Sequence, residues 1–266
     1  MVWKDTWRFT DSIEYEYKCA GKYGAKGEKR AKKKKATPEQ IKENNQKQRE
    51  KTMRRLIKKN FREGDLWATL KYPEGTRKTV EEVTKDLQSF LRKARKKWKK
   101  QGEPLKYVYR IEIGDRGGIH IHIIVNRMRE GETDLIIQEI WNHGRVNFQS
   151  IYESGGYKKL AAYIVKQPDE EQMEQLSFFE KNERKKLVKY STSRNLIRPK
   201  PERKEYSRRT IRSIVENGPK PTPGFYIDQE SIVYGTNPFT GMTYFHYTEN
   251  RIKPIGRRFW EKKGDG

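Results

Sequence analysis

The 266-residue chain has one cysteine, four histidines and no long apolar run. A single thiol, Cys19, closes no internal disulfide and builds no thiolate zinc site, and the compartment expected for such a chain is the reducing cytoplasm. A bilayer span needs ~18 or more consecutive apolar residues. None is present, and the polar start Met1-Val2-Trp3-Lys4-Asp5 predicts no secretory leader. A Gly-x-x-x-x-Gly-Lys-Ser/Thr loop is also absent, so strand unwinding driven by ATP is not expected of this sequence. The scarcest commodity is negative charge. Sixty Lys and Arg face thirty-six Asp and Glu, for a net charge of +24. That imbalance marks a polyanion binder, and nucleic acid is the expected partner. A membrane surface would require an amphipathic helix with a strong apolar face, which the basic segments do not offer.

Three regions differ in character. Residues 1–60 read as a basic N-terminal arm, with Lys32-Lys33-Lys34-Lys35 and a polar stretch too poor in apolar residues to bury much surface. Residues 61–205 carry the alternations of a folded domain. Leu66 to Tyr72 reads as a strand stopped by Pro73, and Thr79 with Glu82 forms a capping box ahead of an amphipathic helix through Trp98. A hairpin over residues 107–125, a helix over 134–143 ended by Gly144, a strand over 145–148 and a helix over 157–166 led in by Gly155-Gly156 follow. Residues 206–266 form a C-terminal extension with a hairpin of Tyr226–Val233 and Tyr244–Tyr247. This order predicts an α+β fold, a mainly antiparallel central sheet covered by helices. Within it, Lys189-Tyr190-Ser191-Thr192-Ser193-Arg194-Asn195 suits phosphate or base contacts, or is a plain surface loop.

Two of the four histidines, His120 and His122, lie two apart in Gly118-Ile119-His120-Ile121-His122-Ile123 and so share one face of one strand. Alternating strands commonly show polar residues to solvent, and a lone His-x-His would be that. Here the preceding strand, Tyr107 to Ile113, supplies a carboxylate. With the turn centred on Arg116, Glu112 falls opposite His120 at a Cβ separation of roughly 5 Å. A carboxylate and two imidazoles on a rigid hairpin form a metal half-site with open positions. Downstream, Tyr163 and Lys166 are helix neighbours, and Tyr163 sits at the edge of the apolar stripe of Tyr157, Leu160, Ala161 and Ile164. A partly buried core tyrosine would look the same.

Taken in order, Trp67-Ala68-Thr69-Leu70-Lys71-Tyr72, Glu112 through His122, and Tyr163-Ile164-Val165-Lys166 resemble the motifs of the HUH endonucleases. The similarity is to the rolling-circle replication initiator (Rep) proteins of bacterial plasmids, phages and integrated elements, over residues 65–200. The resemblance implies metal-dependent nicking and rejoining of single-stranded DNA. In that scheme Glu112, His120 and His122 hold Mg²⁺ or Mn²⁺, Tyr163 is the nucleophile that forms a 5′-phosphotyrosine, and Lys166 is its cationic helper. Origin DNA, in hairpin form, and a host helicase and polymerase are the implied partners. The residue four before Tyr163 is Lys159, so the pattern is of the single-tyrosine kind. A single-tyrosine transposase or relaxase would share this chemistry, whereas a non-catalytic nucleic-acid-binding protein would use Tyr107 and Tyr109 as stacking platforms.

Overall fold

The computed structural model describes residues 2–19, 31–114, 117–128, 131–151, 157–168, 170–206 and 211–253. Arg116, Gly155 and Gly156, named above at turns, lie outside that set. The fold is α+β, with two antiparallel sheets and helices laid against them. In chain order the elements are β1 (Val2–Arg8), β2 (Ser12–Cys19), α1 (Pro38–Asn60), β3 (Leu66–Leu70), α2 (Val80–Lys100), β4 (Tyr107–Ile113) and β5 (Ile119–Val125). Then come α3 (Thr133–Ile140), β6 (Val146–Ser150), α4 (Lys158–Val165), α5 (Glu170–Ser177), α6 (Lys181–Val188) and β7 (Tyr190–Thr192). The last are β8 (Glu202–Tyr206), α7 (Ile211–Asn217), β9 (Phe225–Asn237) and β10 (Met242–Arg251).

The chain divides into two compact units, residues 1–45 with 198–258 and a second centred on residues 46–197. In the first, the strand order is β8-β1-β2-β10-β9. Ile13, Tyr15, Tyr17, Phe245 and Tyr247 line the buried face, with Ile211 from α7 packed among them. This changes the reading of residues 1–60 as one basic arm. They contain a β-hairpin and a 23-residue helix, and the C-terminal hairpin joins the N-terminal one in a single sheet. The cause is visible in β2: Ile13, Tyr15 and Tyr17 alternate with Glu14, Glu16 and Lys18, a strand period that the surrounding lysines overshadow.

The second unit has the order β6-β3-β5-β4-β7, every pairing antiparallel. Its central strand β5 is apolar on both faces. Ile119, Ile121, Ile123 and Val125 meet the α2 and α3 layer, which includes the fully buried Trp98 and Trp141. On the opposite face Ile124 and Val108 pack against Met53, Leu56 and Ile57 of α1 and Ala161, Ile164 and Val165 of α4. The α2 capping box forms as expected: Glu82 N–H donates to Thr79 Oγ1 and Thr79 N–H to Glu82 Oε2. Helix α3 stops at Ile140 rather than running to His143, because the Trp141 indole N–H turns to donate to the Lys71 carbonyl at 3.2 Å.

Candidate active site

The hairpin of β4 and β5 pairs Glu112 with His120 and Arg110 with His122, the register expected from the sequence. Alternation then puts Arg110, Glu112, His120 and His122 on the sheet face that α1 and α4 cover. The turn is tight: Gly114 N–H donates to the Gly118 carbonyl at 2.8 Å, and Gly117 takes a φ of 74° that favours glycine. A Cβ at Gly114 would sit 3.3 Å from His120 Cε1, so the absent side chain leaves room for that ring.

One donor atom from each of Glu112, His120 and His122 lies within 4.8 Å of the others. His122 Nε2 is 3.2 Å and His120 Nε2 3.9 Å from Glu112 Oε2. Neighbouring ligands bound at ~2.1 Å to an octahedral ion are about 3 Å apart, so the set fits a divalent cation after small side-chain adjustments. A carboxylate and two imidazoles also match the donor preference of Mn²⁺ better than that of Ca²⁺.

The Tyr163 hydroxyl lies at the same place. It donates to Glu112 Oε2 at 2.5 Å and is 2.8 Å from His122 Nε2. A phenol has one proton, and the carboxylate can only accept, so His122 Nε2–H donates to the tyrosine oxygen. His122 Nδ1 then accepts from the Thr69 hydroxyl, 3.2 Å away on the neighbouring strand. Trp67 stacks flat on the His122 ring, 5.3 Å between centroids and 12° from parallel, and presents its edge to Tyr163. These contacts hold the imidazole in plane and orientation.

Electrostatics tie the groups together. Burial would raise the Glu112 carboxyl, but hydrogen bonds from His122 and Tyr163 and the charge of Arg110 bring it down to about 2. Burial and the neighbouring Glu112 carboxylate push the Tyr163 phenol up, with Arg110 acting the other way. Burial also lowers His120, helped by the charge of His122, so its nitrogens stay available as ligands at neutral pH.

Sequence reasoning passed over Arg110. It is 3% exposed, and its Nη1 donates to the carbonyls of Tyr163, Ile164 and Lys166 at 3.4, 3.3 and 2.6 Å. It thereby fastens the C-terminal end of α4, which carries the tyrosine, to the strand that carries Glu112. Its position two before Glu112 was the available signal. Lys166 follows α4 in extended backbone, φ −50° and ψ 131°, and is exposed. Its carbonyl takes the shortest Arg110 bond, and the cation whose field reaches the phenol is Arg110.

Residues 65–168 match the family model of the replication-associated protein ORF2. The match bears out the resemblance to rolling-circle Rep proteins over β3 through α4, the stretch that holds Trp67, Thr69, Arg110, Glu112, His120, His122, Tyr163 and Lys166. No curated protein and no solved structure matches the chain.

Proposed function

We propose that this protein initiates rolling-circle replication by nicking one DNA strand and later rejoining it through a tyrosine-linked intermediate. The observation that carries the reading is the Tyr163 hydroxyl in contact with both Glu112 and His122, a nucleophile at the mouth of a metal-ligand set. The Tyr163 oxygen attacks the scissile phosphorus, the P–O3′ bond breaks, and the 3′ oxygen leaves with a proton as a free hydroxyl. The 5′ phosphate stays on the tyrosine as a phosphodiester. No bond energy is lost, so a later 3′-hydroxyl reverses the step without ATP.

Mg²⁺ or Mn²⁺ held by Glu112, His120 and His122 would supply positive charge to the non-bridging phosphate oxygens and offset the Glu112 carboxylate. The remaining work falls to the chain. Arg110 lowers the cost of the phenolate and holds α4 in place. Trp67 and Thr69 fix the His122 ring. Lys166, one helical turn beyond Tyr163, is assigned to the charge on the transferred phosphate. Origin DNA, presented as a single strand or hairpin, is the substrate, with host helicase and polymerase completing replication in the cytoplasm. Among the described residues no helix is long and apolar enough to cross a membrane.

The test is incubation with single-stranded DNA from the protein's own locus, read on denaturing gels. Tyr163→Phe should lose the covalent adduct and keep oligonucleotide binding, and EDTA or His122→Ala should stop cleavage. An adduct on the Tyr163→Phe protein, or nicking undiminished by EDTA, overturns the assignment.

A further inference from the structure

On the sheet face opposite Glu112, a cavity of about 890 Å³ opens between the C-terminal end of α2, the start of β4 and the segment after β7. Arg95, Lys99 and Arg194 line it, together with Ser193, Asn195 and one acidic residue, Glu103. The three cations are exposed, and none pairs with a described carboxylate. Three unpaired positive charges converging on one concavity are costly through mutual repulsion, unless an anion shares the space.

The frame of the cavity is fixed. Ser193 is tied to Tyr107 in both directions: Tyr107 N–H donates to Ser193 Oγ at 3.1 Å, and Ser193 N–H donates to the Tyr107 carbonyl at 2.9 Å. The Asn195 carboxamide donates to the Leu105 carbonyl at 3.0 Å. These bonds lock the chain on either side of Arg194 and leave its side chain outward. Arg95 is steadied as well, since Nη2 donates to the Tyr107 hydroxyl at 2.9 Å. A guanidinium has five N–H donors, so most of its donors stay open to a ligand. The ring of Tyr107 is itself buried, 8% exposed, which rules it out as a stacking platform and leaves phosphate as the recognised group.

We propose that this cavity is a second DNA site, which grips the phosphodiester backbone of a strand segment away from the cut. The size suits more than one phosphate, being near the upper end of small-ligand pockets, ~300–1,000 Å³. Without large exposed aromatic faces it reads no sequence and supplies positioning and affinity. The choice of DNA among polyanions rests on the replication reading above. The charge argument does not.

The test uses the full chain, a labelled single-stranded oligonucleotide from the locus and no added metal, with binding followed by fluorescence anisotropy over a salt series. The Lys99→Glu, Arg194→Glu double variant should bind about tenfold or more weakly, with the slope of log K against log salt reduced by about 2. The Lys93→Glu, Lys96→Glu variant alters two exposed cations of the same helix outside the cavity and serves as the equal-charge control. Its loss should be clearly smaller. Equal losses in the two variants overturn the proposal and leave only a diffuse field. Covalent adduct at saturating DNA with Mn²⁺ should be kept by the Lys99→Glu, Arg194→Glu protein. If wild type forms no adduct yet shows this binding difference, the nicking reading fails and the second site stands.

Discussion

Thr69 decides which nitrogen of His122 is free. In the described state Nδ1 accepts from the hydroxyl and Nε2 carries the proton toward Tyr163. A cation at Nε2 needs that lone pair, so the proton must move to Nδ1, and the hydroxyl must become the acceptor. Threonine can do both, which valine of nearly the same shape cannot. Thr69→Val should therefore weaken Mn²⁺ binding by about 10- to 100-fold, as loss of such supporting bonds usually does, with the fold intact. Titration calorimetry on wild type and variant is the check, and an unchanged affinity would remove Thr69 from the site. Arg110 acts on the other partner. Arg110→Gln leaves the last carbonyls of α4 without their donor in a buried setting, an expected loss of about 1–3 kcal/mol in urea unfolding. The rate of adduct formation should fall while the apparent affinity for oligonucleotide holds, because the change displaces Tyr163 and not the DNA contacts.

At the scale of elements, the sequence was most readable where pattern and register were local. The hairpin of β4 and β5 could be paired residue by residue, because its loop is short and only one alignment puts the apolar residues inward. The capping box fixed the start of α2 for the same reason. What escaped depends on distant partners. Thr69 meets His122 only because β3 lies beside β5, a neighbour that neither strand announces. Strands β1 and β2 did carry their alternation, but their sheet is completed by β10, more than two hundred residues on. The turn before β3 holds a further group with a measurable consequence. Asp65 is buried, and that burial pushes its carboxyl up to about 6, against the pull of backbone N–H donors from Arg127 and Arg62 at 2.8 Å each. Its folded value lies above the ordinary value of 3.8, so the folded state takes up a proton more readily than the unfolded one. The contribution is therefore complete below the unfolded value and lost as pH rises through about 6, on the order of 3 kcal/mol. Asp65→Asn should flatten the pH dependence of the urea midpoint between pH ~4 and ~7. A variant with the wild-type slope would mean that the carboxyl titrates normally.

For the whole molecule the governing fact is a net charge of +24 gathered around a site that itself wants a cation. A strongly positive protein repels free metal ions, so Glu112 is what makes the triad hospitable, and its depressed carboxyl keeps that negative charge present well below neutrality. DNA shifts the balance further, because phosphates drawn to the basic surface cancel the repelling field near the triad. Metal and DNA should then bind with positive coupling, each raising the affinity for the other. The metal half can be read without activity. Mn²⁺ at one hundred times its Kd should stabilise the folded state by about 2.7 kcal/mol, a rise in melting temperature of roughly 5–10 °C for a unit of this size. His122→Ala should lose most of that rise, and a non-cleavable oligonucleotide should lower the Mn²⁺ concentration at which wild type shows it. Equal rises in wild type and His122→Ala would place the ion elsewhere, while a DNA-independent midpoint would separate the basic surface from the metal centre.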